Sequence, residues 1–273
     1  MVVDVADGYV LKPKPPYDVH DSLASLPDNS TTPDARRATV SVIVDGWPDD
    51  VRTCMGALLQ HVPVDVVIQA ADFGNVDGAG DALHEFAGDR LDELHLANPM
   101  TNWAAARNAL LRADVGRIHL WCELSTVVTG DALTPLLDAI ESDDSVVAAG
   151  WRGVNVDLDE EWRSVTEAPP GDVDAILGYL LAFRRATGLA AGGPHAKARY
   201  YRNADIEFSF ALREAAGSGA RLVVPAGDLP VRQDRHHGYH DTDPAYRDKE
   251  SVKTYNRFLA RFRGRTDLLA PRA

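Results

Sequence analysis

Residues 38–46 read ATVSVIVDG, an apolar, β-branched run with no polar alternation, closed by an acid and a glycine. A strand with one wet face alternates apolar and polar residues, whereas one covered on both faces reads as a continuous run. This stretch is therefore expected to be a buried strand of a parallel sheet. The next segments agree. DDVRTCMGALLQH (49–61) places Val51, Met55, Leu58 and Leu59 at helical spacing, and VDVVIQA (64–70) is a second buried-strand run. The alternation continues through a helix at 81–91, a short strand at 92–97 and a helix at 102–113 with Ala106, Leu110 and Leu111 on its apolar face. A strand at 117–123, a helix at 130–142 and a strand at 145–151 complete it. Strands and helices in strict alternation give a mostly parallel sheet with helices on both faces. In such sheets ligands bind beyond the carboxyl ends of the strands. Here those ends are Asp45-Gly46, Ala70-Ala71-Asp72, Glu123 and Trp151-Arg152.

The flanks differ. Residues 1–37 are rich in Pro, Asp and Ser and are expected to form an irregular arm. WRGVNVDLDEEWRSVTEAPPGDVDA (151–175) is polar and reads as loop. ILGYLLAFRRA (176–186) reads as one strand, DIEFSFALREAAGSG (205–219) as a helix with a glycine stop, and ARLVVPA (220–226) as a strand. The last helix is expected to begin at an Asp243 cap with Pro244 in its first turn, and to stop at Gly264. One basic face carries Lys249, Lys253, Arg257, Arg261 and Arg265, opposite an apolar face of Val252, Tyr255, Leu259 and Phe262. An anionic partner, an acidic membrane surface and the protein's own acidic body are all open as its counterpart.

Composition narrows the function. The 273 residues include 41 Asp and Glu against 28 Lys and Arg, a net charge of −13. That disfavours general nucleic-acid binding, which needs cations to neutralise phosphates. Cys54 and Cys122 lie in apolar segments and read as core residues, with no zinc or disulfide pattern around them. No apolar run is long enough to cross a bilayer, and the first residues lack a signal-peptide order, so a soluble cytoplasmic protein is expected. The single glycine of VDGWPDD speaks against the glycine-rich loops of dinucleotide-binding and nucleotidyltransfer proteins.

Five segments in order resemble the family 2 glycosyltransferases of the GT-A nucleotide-sugar fold, over roughly residues 38–240. They are VSVIVDGWPDD (40–50), VDVVIQAADFGNVDG (64–78), AAARNALLRA (104–113), LWCELSTVVTGDALTPLL (120–137) and YRNADIEFSFALREAAGSG (201–219). The resemblance implies a single GT-A-like domain over 38–273. Its nucleotide-binding half would span 38–151 and its acceptor half 152–242, with a C-terminal helix over 243–265. It also implies transfer of a hexosyl group from a nucleoside-diphosphate sugar to a hydroxyl acceptor, assisted by Mn²⁺ or Mg²⁺.

The same resemblance assigns residues. Asp45 and Asp72 would meet base and ribose. Arg107 and Asn108 would hold the nucleotide, and Gly178 and Tyr179 would line the sugar or acceptor pocket. Trp151 and Arg152 end a strand at the same edge, where a tryptophan can stack on a sugar ring. The family's D-x-D metal triplet corresponds to Glu123-Leu124-Ser125, with one carboxylate left. Glu123 and His236 are the expected metal ligands, and His237 and His240 flank the latter. The family's E-D pair corresponds to Arg202-Asn203, which cannot abstract a proton, so Asp205 and Glu207 are the expected catalytic acids. Those two altered motifs keep a second reading open, that of a non-catalytic relative that retains the fold and nucleotide binding.

Overall fold

The computed structural model describes residues 14–233 and 242–272. In chain order its strands and helices begin with β1 (Val19–His20), β2 (Arg36–Val44), α1 (Pro48–His61), β3 (Val66–Phe73), α2 (Ala79–His84) and β4 (Leu91–Leu96). Next come α3 (Trp103–Ala113), β5 (Gly116–Cys122), β6 (Thr126–Val128), α4 (Thr134–Glu141) and β7 (Val146–Gly150). They are followed by β8 (Gly153–Val156), β9 (Val165–Ala168), β10 (Gly171–Asp172), β11 (Ala175–Ile176), β12 (Leu180–Arg184) and α5 (Arg185–Ala190). The last are α6 (Ala204–Ala216), β13 (Arg221–Val224), β14 (Val231–Gln233) and α7 (Pro244–Phe262).

The central sheet has nine strands in the order β1-β4-β3-β2-β5-β12-β7-β13-β10. All neighbours are parallel except β12, which runs antiparallel between β5 and β7, and β10 at the edge. The run at 38–44 is indeed central: Ala38, Val40, Val42 and Val44 are fully buried. Apolar residues of α1, α2 and α4 pack on one face of the sheet. Those of α3, α5 and α6 pack on the other. A third cluster joins the outer side of α6 to α7 through Phe210, Phe258, Phe262 and Trp162. Cys54 and Cys122 are buried free thiols in the first of these cores. Among the described residues no helix is long and apolar enough to cross a membrane.

Three sequence expectations change. The arm is not wholly irregular: Val19 and His20 pair with His95 and Leu96 and extend the sheet. Arg185 reaches back to the Thr32 and Asn29 carbonyls. The polar stretch after Trp151 holds a second sheet, β11-β8-β9, with Val154 and Val156 buried. The segment 176–186 breaks into the end of β11, a turn at 177–179 and β12. The turn is fixed by the Gly178 N–H, which donates to Asp205 Oδ2 at 2.8 Å.

Register decides which residues meet at the carboxyl edge. Val44 lies opposite Asp72, Val42 opposite Cys122, Cys122 opposite Leu180 and Leu181 opposite Gly150. One residue further along, the Glu123 N–H donates to the Tyr179 carbonyl at 3.0 Å and the Trp151 N–H to the Leu180 carbonyl at 3.0 Å. Asp45, Asp72, Glu123, Tyr179 and Trp151 thus arrive at one rim. The end of β11 and the start of β12 press closely on the end of β7. A Cβ on Gly150 would sit 2.2 Å from Ile176 Cγ2 and 2.8 Å from the Leu180 carbonyl oxygen. Gly150→Ala is expected to cost about 1–3 kcal/mol, because backbone must shift to admit the methyl. Urea unfolding measures it, and an unchanged midpoint would refute the contact.

Candidate active site

At the end of β2 the chain turns sharply into α1. Gly46 has φ 131° and Trp47 has φ 61°, a left-handed conformation that a bulky side chain rarely adopts. This turn holds Asp45 at the rim. Its carboxyl is pushed up to about 7 by burial, against the pull of Arg107. Glu123 begins the turn after β5, closed by the Thr126 N–H donating to its carbonyl at 2.8 Å. Burial raises the Glu123 carboxyl to about 8; Arg107 opposes this, while Asp205 and Asp45 add to it. Asp205 sits in the first turn of α6, with Oδ2 on the Gly178 N–H and Oδ1 on the Ile206 N–H at 2.9 Å. Burial lifts it to about 6 against those bonds. Three acids from three distant segments, Asp45 and Glu123 partly exposed and Asp205 buried, therefore lie near enough to act on one another, an arrangement in which carboxyls titrate near neutral pH.

These raised carboxyls make the metal-free protein sensitive to pH. Each has a folded pKa above its unfolded value, so the folded state binds more protons across roughly pH 4–8. The stabilisation is full below the unfolded pKa and is lost as pH rises through the folded one. Thermal stability is expected to fall from pH 5 to pH 8.5 by at least about 2 kcal/mol, roughly 4–8 °C. Glu123→Gln should flatten that slope, and an equal slope in the variant would contradict the assignment.

The arginine of the site is not a surface clamp. Arg107 is 2% exposed, donates to the Ser41 carbonyl at 3.0 Å and its hydroxyl at 3.2 Å, and packs against the rings of both Trp103 and Trp121, which meet each other edge-on. It acts on Asp45 and Glu123 as a buried positive charge from beneath the rim. Asn108 does not face the rim either: its amide donates to the Pro194 carbonyl at 2.8 Å and ties the loop before α6 to α3. Asp72 is buried, accepting from the Asn75 N–H at 3.2 Å and facing His95 Nδ1 at 3.3 Å. It thereby backs the loop 74–78, in which Gly74, Asn75, Asp77 and Gly78 all have positive φ. The other Asp72 oxygen, Oδ1, is buried with no hydrogen bond.

Glu207 departs furthest from expectation. Its carboxylate is 2% exposed and is gripped by Arg257 of α7, at 2.7 Å to Nε and 2.5 Å to the terminal nitrogen. The acid expected in catalysis is half of a buried ion pair. Removing one member of such a pair strands a charge at a cost of about 3–5 kcal/mol. Arg257→Met is expected to lower stability by that order, while Glu207→Gln should leave the rate constant of the folded fraction unchanged. A rate loss in Glu207→Gln without a stability loss would return it to the mechanism. Three more members of the basic stripe pair within the chain, Arg261 and Arg265 with Glu214 and Lys253 with Glu250, while Lys249 is exposed. Val252, expected in the apolar face, is 58% exposed.

Cavities open along the rim among the described residues. One of about 380 Å³ is lined by Asp45, Val76, Met100, Asn102, Arg199 and Tyr246. A second of about 400 Å³ is walled by Tyr179, Tyr200 and Tyr201. A third of about 350 Å³ lies beside Trp151 and Arg152. The Arg152 guanidinium stands 4.4 Å over the Trp151 ring, and Trp151 meets Tyr179 edge-on at 6.4 Å. The sequence reading missed Tyr200, Tyr201, Met100 and Arg199. The segment RYYRN at 199–203 carried a signal, an aromatic and basic run without periodicity just before a helix.

For a metal, the rim offers hard oxygen donors. Ser125, at the second place of the Glu-Leu-Ser triplet, is 2% exposed and its hydroxyl has no hydrogen-bond partner. An orphaned buried hydroxyl two residues from Glu123 supplies the oxygen chemistry of a cation that takes its remaining ligands from a diphosphate and water. Among the described residues no group of three or more His, Cys, Asp or Glu is placed to hold a metal alone. His236, with His237 and His240, lies outside the described residues.

No protein-family model matches the sequence, and no curated protein matches it. Solved structures do. GalNAc-T7, determined with UDP, GalNAc and Mn²⁺, superposes with a TM-score of 0.64 at 14% identity over 82% of this chain. The chain spans about half of that protein, 48% of its length. The mannosyltransferase PcManGT of Pyrobaculum calidifontis, determined with GDP-Man and Mn²⁺, gives a TM-score of 0.55 at 18% identity over 91% of this chain and 79% of its own. Together with the strand order and the crossing of β12, these likenesses show that the chain has the GT-A glycosyltransferase fold.

Proposed function

We propose that the protein is a glycosyltransferase that moves a sugar from a nucleoside-diphosphate sugar to a hydroxyl acceptor at the rim formed by Asp45, Glu123 and Asp205. The observation that carries this reading is the convergence of those three carboxyls at the carboxyl edge of a GT-A sheet, with one cavity beside Asp45 and another beside Tyr179, whose carbonyl accepts from the Glu123 N–H. The solved neighbours with this fold hold UDP or GDP-Man with Mn²⁺, which supports a donor of the same class here.

In this reading the nucleoside lies in the cavity beside Asp45 and the loops 74–78 and 98–102, with Asp72 bracing the first loop. Glu123 and the Ser125 hydroxyl would hold Mn²⁺ or Mg²⁺, which when bound supplies positive charge to the leaving diphosphate. Arg107 adds a buried charge of the same sign that no solvent screens. Asp205, with a pKa near 6, is ionised at neutral pH yet basic enough to accept a proton from the acceptor hydroxyl. Its two backbone hydrogen bonds fix the carboxylate in place, so little reorganisation precedes the transfer.

The altered triplet gives the second reading its footing: a nucleotide-binding relative without transfer. Nucleoside diphosphate release from UDP-, GDP- and dTDP-sugars with Mn²⁺ separates the two. Release from one donor, raised by a hydroxyl compound, is expected. Tight nucleotide binding without any release would leave the non-catalytic reading standing.

A further inference from the structure

The second rim cavity is charged in a way the proposed transfer does not by itself require. Its volume is about 400 Å³, and its wall includes Tyr179, Tyr200, Tyr201, Arg202, Arg247 and Asp248. Among the described residues, two guanidinium groups against one carboxylate give this cavity a positive excess in a chain of net charge −13. The one carboxylate does not cancel them: Arg202 and Asp248 stand 3.7 Å apart, both well exposed, a spacing and exposure at which an ion pair is weak. Arg247, from the first turn of α7, acts on the Tyr200 phenol at hydrogen-bonding range. This positive end is separate from the stripe along α7, whose Arg257, Arg261 and Arg265 are committed to Glu207 and Glu214.

The acidic rim adjoins this cavity through the turn at Tyr179: the Glu123 N–H donates to the Tyr179 carbonyl at 3.0 Å, and Asp205 Oδ2 accepts from the N–H of neighbouring Gly178 at 2.8 Å. The Tyr179 phenol feels Glu123 and Asp205 as well as Arg152 and Arg202. Tyr201 also feels Glu123, and its ring packs on Tyr200 at 4.5 Å. Tyr179 and Tyr201, both partly exposed, give the cavity an aromatic wall beside its guanidinium groups, while Tyr200 is almost fully buried. Such a wall suits a compact polyol or sugar ring, whose C–H faces lie on aromatic rings. Guanidinium groups suit the oxygens of a carboxylate or phosphate, which they bind by charge-assisted hydrogen bonds.

We propose that this cavity selects an anionic acceptor: a small hydroxyl compound bearing a carboxylate or phosphate, held by Arg202 and Arg247 with its hydroxyl turned toward Asp205. The inference rests on the transferase reading above and names the class of its acceptor.

The test is calorimetric titration of the full chain, saturated with UDP and Mn²⁺, with two matched pairs: glycerol 3-phosphate against glycerol, and glucuronate against glucose. The same titrations are run on Arg247→Gln and Arg202→Gln, and UDP is titrated into each protein separately. The expected result is that one anionic member binds at least about tenfold more tightly than its neutral partner, the magnitude of one hydrogen bond to a charged group. Which member does so separates phosphate from carboxylate. Arg247→Gln should erase that preference while UDP binding stays as it is. Neutral members binding as well as their anionic partners would overturn the inference, as would binding of none of the four to a protein that binds UDP. Equal loss of UDP and anion affinity in Arg247→Gln would also overturn it, since the arginines would then belong to the donor diphosphate. A protein that binds no nucleoside diphosphate at all would fail the transferase reading itself, and the acceptor class with it.

Discussion

Asp205→Asn is expected to lower kcat by about 10²–10⁴-fold, the usual contribution of a positioned general base, with little change in donor affinity. The amide keeps the volume of the carboxyl and one acceptor oxygen for the Gly178 N–H. It cannot take a proton. Its NH₂ would face the Ile206 N–H, so a small loss of stability accompanies the loss of rate. The distinguishing readout is the pH profile: the acid limb of kcat/KM, set by a group titrating near 6 in the wild-type protein, should disappear from the residual activity. A variant with the same limb, or with kcat within about threefold of wild type, would place the base elsewhere.

The second large effect is expected at Glu123. Glu123→Ala removes the carboxylate around which a shared cation shell is built, and kcat/KM should fall by about 10³-fold, an electrostatic loss of several kcal/mol. The fold should tolerate it. The metal-free wild-type protein keeps this carboxyl protonated at pH 7, because its pKa lies near 8, so removing it relieves an unfavourable burial above that pH. Stability is therefore expected to hold or rise at pH 8.5 while activity collapses. A drop in stability that parallels the loss of activity would mean that Glu123 is structural.

The sequence carried most of the first half of the fold, because nearly every strand and helix from 38 to 150 announces itself locally; β6 (Thr126–Val128) does not, and the helix expected over 81–91 ends at His84. A continuous β-branched run can only be a strand covered on both sides, and Val51, Met55 and Leu58 can only bury together on a helix. The long-range pairings were not legible. Nothing in ILGYLLAFRRA says that it reverses direction and inserts between β5 and β7, since that depends on pairing with Cys122 and Gly150 far along the chain. The small sheet of β8, β9 and β11 hid in a polar stretch because its strands are short and bury few side chains each.

The rim was legible in part. Strand ends mark Asp45, Asp72, Glu123 and Trp151, since any strand end in such a sheet is a rim position. Side-chain direction is another matter. Asp205 and Glu207 lie two residues apart in one helical turn, so they cannot share a face, and only the position of Arg257 shows which one turns away from the site. Motif spacing likewise gave Arg107 a place in the site but not its burial against two tryptophans. The basic stripe of α7 could not be assigned a counterpart from sequence, because Glu207 and Glu214 precede it by some fifty residues.

A cation-assisted site for a nucleoside diphosphate at the rim beside Glu123 is tested most directly by thermal-shift titration. The wild-type protein and Glu123→Ala are titrated with UDP, GDP and dTDP, each with Mn²⁺ and with EDTA. A ligand at a hundred times its dissociation constant stabilises the folded state by about 2.7 kcal/mol. The expected result is a shift of that order for one nucleotide in Mn²⁺, much reduced in EDTA and in Glu123→Ala. A nucleotide shift indifferent to Mn²⁺ and to Glu123, or no shift with any of the three, would contradict it.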